Sequence, residues 1–308
     1  MTRTEQVTSY VAAAGNGILG LAWLFQADRL PIAGWIALAY AAGLMLPWLL
    51  AHWDRSLSGR GAKALRVFKA VYPIALVMLF WTELGRLHGP MVGSSADAAV
   101  SRLDLAIFGR HWHVEWMAAL PLPWLSEVMH LVYLLYFPAV FGTALVLAFR
   151  NCREAQRDVL LRLLVTYTGC FVIYLVFPVV GPPDMMALPE IARGFFYSLS
   201  HGAQAAGDSL GTAFPSSHVA GAVTIAFAAS RWFSRPVARG FLLFAALVAL
   251  ATVYTRNHYT IDAVAGALWA ILLQVAVVPL LLQRREPLVS VPQLARQWWA
   301  VETTGSRP

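Results

Sequence analysis

Residues 215–233 read PSSHVAGAVTIAFAASRWF. Four polar or turn-forming residues open a run of small and apolar ones. The whole stretch is close to the roughly 20 residues a helix needs to cross a bilayer. If it spans, a Pro-Ser-Ser-His turn lies at a membrane face. The rest of the chain supports spanning. Of 308 residues, 59% are hydrophobic and only 13% charged, and 12 are Trp. Soluble domains run nearer half apolar and a quarter charged, so this is the composition of an integral membrane protein. Stretches of the required length fall at about 8–26, 31–52, 68–87, 126–149, 159–180, 215–233, 237–255 and 259–282. The first is the weakest, holding Gly15, Asn16, Gly17 and Gly20. The fold expected is all-α, a polytopic membrane helix bundle of about eight transmembrane helices.

Charge orients the bundle. Eight spans leave both termini on one side. On that side lie Arg55, Arg60, Lys63, Arg66 and Lys69, then Arg150, Arg153 and Arg157, then Arg231, Arg235 and Arg239, then Arg284 and Arg285. The terminal side totals 17 Lys+Arg against 6 Asp+Glu; the other has 6 Arg, no Lys and 10 Asp+Glu. The positive-inside rule puts both termini in the cytoplasm and the 215–218 turn at the external, periplasmic face of the cell (inner) membrane. The net charge of +7 is therefore a topology signal spread over four segments, not a nucleic-acid patch. The start MTRTEQ carries an acid and lacks a convincing cleavage pattern, which favours an uncleaved first span. Cys152 and Cys170 would stand roughly 27 Å apart on one helix, too far to bridge; both read as packing residues.

Two external segments are long. Residues 88–125 contain LDLAIFGRHWHVEWMAALPLPW, amphipathic and aromatic, expected to lie in the interface or re-enter. Residues 181–214 form a loop long enough to be functional, with a short surface helix expected near 188–203 and a glycine-rich hinge at Gly202–Gly211. The tail 283–308, with Trp298 and Trp299, reads as an interfacial anchor.

The chemistry concentrates in two places. Pro215 suits the first helical position, which puts Ser216, Ser217 and His218 in the first turn. Free N–H groups and the helix dipole make that turn a ready anion site. The second stretch is YTRNHYTIDAVAG, residues 254–266, at the same face. His258 and Asp262 are four apart and would share a side of a helix. The carboxylate can then orient the imidazole, the base–orienter relation of an activated nucleophile. Arg256 can fork onto an oxyanion. Ionisable groups at membrane depth are expensive and usually functional. The same His218, His258 and Asp262 have the composition of a two-His, one-carboxylate iron site, but Arg256 and the helix start argue against a cation there. His111, His113 and Glu115 also resemble a metal cluster. On a helix, positions 111 and 113 do not face each other, so interfacial polar residues are expected instead. Glu83, Asp104, Glu127 and His130 either line the external cavity or make interhelical hydrogen bonds.

PSSH followed by R-x-H-x-x-x-D resembles the second and third motifs of the type 2 phosphatidic acid phosphatase superfamily. R-x-H-Y-T-I-D is similar to the third motif of sphingomyelin and inositol phosphorylceramide synthases, and LDLAIFG (103–109) and FPVVGPP (177–183) resemble segments of their bacterial relatives. The resemblance extends over about 65–282. It implies a six-helix phosphatase-like core, with 1–64 as an N-terminal transmembrane hairpin and basic cytoplasmic loop, 65–282 as the catalytic membrane core and 283–308 as a cytoplasmic tail. It also implies roles. His258 attacks phosphorus to give a phosphohistidine, Asp262 orients it, and His218 protonates the leaving alkoxide and then activates water or an alcohol. Arg256 and the N–H groups of 216–218 hold the phosphoryl oxygens, and no metal or other cofactor is needed. The substrate implied is a membrane lipid phosphate, with a lipid alcohol as a second possible acceptor; the oligomeric state is left open.

Two departures from the pattern stand out. The usual third motif has Ser-Arg further ahead of its histidine, whereas position 252 here is Thr and the arginine is Arg256. The first motif, Lys-x6-Arg-Pro, is absent. Its phosphate contacts fall to Arg193, Arg86, Arg102 or Arg110, with Arg193 first. Pro183-Asp184 stands where relatives would carry a basic residue. A lipid phosphatase or phosphotransferase is expected, with a headgroup transferase, or a non-catalytic lipid binder or transporter, as the alternatives.

Overall fold

The computed structural model describes residues 1–26, 28, 30–88, 95–182, 193–207 and 209–283; the tail reading for 283–308 lies outside them beyond Gln283, as do residues 188–192 and Pro183-Asp184. The described residues are mostly helical, joined by turns, with one isolated bridge between Val179 and Thr212. Among the described residues, six helices or helix runs are long and apolar enough to cross a membrane. They are α1 (Arg3–Leu24), α4 (Gly59–His88), α7 (Pro123–Phe149), α8 (Arg153–Val176), α11 (Arg235–Tyr254) and the run Thr260–Leu282. Helices α2 (Ala33–Gly43) and α3 (Leu46–Ser56) form a seventh candidate, bent by 42°. The eighth expected span is α10 (Ser217–Trp232), only 16 residues long. It is shorter than the 215–233 run because Pro215 and the cap Ser216 precede it and Phe233 ends it. Between α4 and α7 lie the non-spanning helices α5 (Asp97–Phe108) and α6 (Trp112–Ala119), and before α10 lies α9 (Phe195–Gly207).

Local sequence explains the boundaries. Thr2 and Glu5 cap each other's backbone at the head of α1, a reciprocal box that satisfies two orphan N–H groups. Proline sits in the first turn of α3, α7 and α11, where its missing donor is harmless. The last span is α12 (Thr260–Leu272), a π-helical segment Leu273–Val277 and α13 (Val278–Leu282).

Helix α10 is the hub, packing against α7, α8, α11 and α12. Most of its side chains are buried, and α8 is the most enclosed of the long spans. The outer helices turn large apolar groups outward, among them Trp35, Trp48, Leu242, Leu268 and Leu280. That is a lipid-facing surface, since a water-facing one would not carry so much exposed apolar area. The C-terminal ends of α4, α8 and α11 and the N-terminal ends of α7, α10 and α12 share one end of the bundle.

The expected surface helix forms, as α9, with Gly202 inside it; it does not stop at a hinge there. Glu127 of α7 caps it, accepting from the N–H groups of Phe196 at 2.9 Å and Tyr197 at 3.1 Å. Gly211 is needed as a glycine: its φ is +80°, and a Cβ would collide with the His88 ring.

Candidate functional site

Two turns meet at that end. In the first, Ser216 rather than Pro215 begins the helix. Ser216 is the N-cap of α10, its hydroxyl accepting from Val219 N–H at 3.4 Å; Pro215 precedes the cap. The chain ahead is pinned by Val179, which donates to Gly211 O at 3.3 Å and accepts from Ala213 N–H at 2.8 Å. Asp97 holds the facing strand of chain by accepting from Val180 N–H at 2.9 Å and Gly181 N–H at 2.8 Å. Two buried tyrosines then grip the turn's carbonyls. Tyr174 donates to Pro215 O at 2.6 Å and Tyr136 to Ser217 O at 3.2 Å. Tyr136 also bonds the Tyr167 hydroxyl.

The second turn joins α11 to α12. N–H groups of Arg256, Asn257 and His258 all donate backward, to Val253 O at 3.1 Å and to Thr252 O at 3.0 and 3.1 Å. These bonds hold Arg256 at a φ of +61°, a conformation that costs a non-glycine residue about 1–3 kcal/mol. His258 therefore lies outside α12, and its relation to Asp262 is not that of two groups on one helical face. Asp262 sits in the first turn, where its Oδ2 accepts from Tyr259 N–H at 2.9 Å. The same oxygen lies 3.5 Å from His258 Nδ1. The sequence spacing brings the pair together through the cap.

The two turns are bonded to each other. Ser216 N–H donates to Asp262 O at 2.9 Å, and α12 approaches so closely at Gly266 that a Cβ there would collide with Ser216 O. This bond takes one of the three N–H groups expected for an anion. Those of Ser217 and His218 are the first of α10 and have no intrahelical acceptor.

The result is a buried cluster. His218 is 8% exposed, His258 5%, Arg256 6% and Asp262 0%. The His218 and His258 rings stand 5.9 Å apart between centroids, at 62°. Neither ring nitrogen of His218 has a hydrogen-bond partner. Tyr133 stacks on that ring at 4.8 Å, while Tyr136 at 4.6 Å and Phe137 at 5.8 Å close its sides. Arg256 reaches Val114 O at 3.5 Å. A cavity of about 200 Å³ leads from Ser217 and His218 between Val77, Met78, Trp81, Leu134, Phe141 and Phe171, so the polar pocket opens onto an apolar channel. Arg193 stands exposed just ahead of α9, and Arg86 pairs with Glu83 at 2.5 Å.

The other polar residues of this end have structural partners. Asp104 of α5 accepts from Ile261 N–H at 2.8 Å and so caps α12 from outside; burial pushes its carboxyl up from the usual range, against the pull of that bond. His130 bonds Ser126 O at 2.8 Å. One expectation is corrected: His111 and His113 do converge. His111 precedes α6 with non-helical dihedrals, so helical spacing does not govern the pair. Both rings turn to Asp104, while Glu115 pairs with Arg110 at 3.3 Å. Sequence reasoning missed the tyrosine clamps, since an apolar run with a few tyrosines reads simply as a span. Their only signal was three tyrosines recurring within spans that must flank 215–218.

The family profile described as the PAP2 superfamily matches residues 99–276, more than half of the chain. No curated protein and no solved structure matches.

Proposed function

The chain belongs to the PAP2 superfamily, and from that premise we propose that it is a membrane-embedded lipid phosphatase or phosphotransferase working through a phosphohistidine at His258. Membership suggests a phosphatase-type activity; the substrate and the mechanism are our reading. The observation that carries it is the buried meeting of His218 and His258 across 5.9 Å, with Asp262 behind His258 at 3.5 Å. The two rings make no hydrogen bond to each other, and in this reading they flank one phosphorus.

In this reading Asp262 holds the Nδ1 proton of His258 and leaves the other nitrogen to attack. The phosphorus–oxygen bond to the lipid breaks as the new phosphorus–nitrogen bond forms, and His218 gives its proton to the departing alkoxide. His218 then takes a proton from water or a lipid alcohol, whose oxygen attacks phosphorus and frees His258. Arg256 and the N–H groups of Ser217 and His218 neutralise the phosphoryl oxygens, the main source of acceleration in this chemistry. Arg193 would supply a second cation at the mouth. The apolar channel below His218 favours a substrate with a hydrocarbon chain. The charge asymmetry of the loops favours a cell-membrane site at the external face, with cytoplasmic termini.

The test is turnover by the detergent-purified protein on lipid phosphate monoesters, diphosphates and phosphodiesters, with and without diacylglycerol or ceramide. Free phosphate indicates hydrolysis, and a new lipid formed only with acceptor indicates headgroup transfer. His258→Ala should abolish either one while remaining folded. A fully active His258→Ala variant would refute both.

A further inference from the structure

Outside the His218–His258 pair, Asp104, His111 and His113 are the one group of metal-ligand side chains that comes together among the described residues. Nδ1 of each histidine lies 3.9 Å from Oδ2 of Asp104, and the three ligand atoms are within 4.8 Å of one another. Asp104 is fully buried, and its Oδ2 has no hydrogen-bond partner. Its other oxygen is committed to Ile261 N–H at 2.8 Å. A bare carboxylate oxygen in a buried site is costly unless a proton, a hydrogen bond or a cation completes it. At 3.9 Å the imidazoles are too far to do so by hydrogen bonding.

We propose that Asp104, His111 and His113 form a three-ligand site for a divalent transition metal, with zinc the best match. Two donors each about 2.0–2.1 Å from a tetrahedral zinc sit about 3.4 Å apart, so each histidine must close in by only a fraction of an ångström on Asp104. His111 is free to do this, being outside any helix with a side chain 35% exposed. Its exposure also provides the entry path. The hard–borderline donor set of two imidazoles and one carboxylate suits zinc better than calcium or magnesium. Asp104 Oδ1 is already oriented by a backbone N–H, the kind of support metal-binding carboxylates use.

The ion would be a clip rather than a reactant. It would join the α5–α6 segment to the head of α12 through Asp104 and Ile261. His113 also sets its ring edge-on to Tyr259 at 5.0 Å, and Tyr259 directly follows His258. Metal binding would therefore stiffen the turn that carries Arg256 and His258.

The test uses tag-free, full-length protein in detergent, stripped with chelator and titrated with Zn²⁺ and separately with Co²⁺. The expected result is one ion per chain by metal analysis, a raised unfolding midpoint, and visible Co²⁺ absorption that Zn²⁺ displaces. His111→Ala should weaken binding by about tenfold or more, and His111→Ala with His113→Ala should abolish it. If the double variant does not fold, His111→Ala, on the exposed turn, decides alone. No stoichiometric binding by the wild type, or unchanged binding by His111→Ala, would overturn the proposal. Because the readout is binding and not turnover, it stands or falls independently of the reaction assigned to His258.

Discussion

At the scale of single residues, Asp262 carries the most. It is fully buried, faces His258 Nδ1 at 3.5 Å, accepts from Tyr259 N–H, and its carbonyl takes the Ser216 N–H. In the proposed reading the side chain orients the imidazole, and the backbone ties the two motifs. Asp262→Asn keeps the shape and removes the charge that, in the proposed mechanism, orients and stabilises the imidazolium. Turnover should fall by about 10²–10⁴-fold, with little change in KM and with the folded helical content retained. A loss confined to KM would make Asp262 a binding group. This pairing was legible in the spacing of the sequence, but for an incomplete reason. The residues meet because a cap folds His258 back, not because a helix aligns them. Asp104 and His111 were not legible as partners, since a turn in the backbone, and not a period, sets their encounter.

At the scale of elements, the last span shows what hydropathy does not see. Its π segment, Leu273–Val277, inserts an extra residue into the helical turn and coincides with Gln274. That side chain is buried, accepts from Arg162 at 3.1 Å and donates to Thr166 at 3.0 Å. Arg162 in turn donates to Asp158 at 2.8 Å, which also accepts from Trp232 at 2.7 Å. This network welds α8, α10 and the π segment of the last span at the end away from the site. A π turn commonly re-aims one side chain, and here it delivers Gln274 into the network. Gln274→Leu leaves buried donors and acceptors unmade and should cost about 1–3 kcal/mol, read as a lower unfolding midpoint in detergent. An unchanged midpoint would mean the network is solvated. The apolar run at 259–282 was legible as a span; the break within it was not, because a π turn leaves composition unchanged. Helix α10 has the opposite history. Its motif was evident, while its length was overstated by counting the cap as part of the span.

At the scale of the whole molecule, the bundle has one polar, histidine-rich end and one basic end, a polarity that the charge bias of the sequence carries. Which end faces the cytoplasm is a prediction with a built-in reporter. Cys170 is buried, and Cys152 sits partly exposed between α7 and α8 at the basic end. In intact cells a membrane-impermeant thiol reagent should leave Cys152 unlabelled, and permeabilisation should expose it. Labelling without permeabilisation would invert the topology and put His218 and His258 on the cytoplasmic side. For the proposed lipid substrate, the orientation decides which leaflet would supply it.

The central claim is that His258 becomes bonded to phosphorus. The most direct measurement is peptide mass spectrometry, under conditions that preserve phosphohistidine, on protein quenched during turnover of a lipid phosphoester. The account predicts a phosphoryl-bearing adduct on His258, absent in His258→Ala and accumulating in His218→Ala if that variant still takes up the phosphoryl group. An adduct on His218 instead, or steady turnover by a His258→Ala variant with no adduct on any histidine, would contradict it.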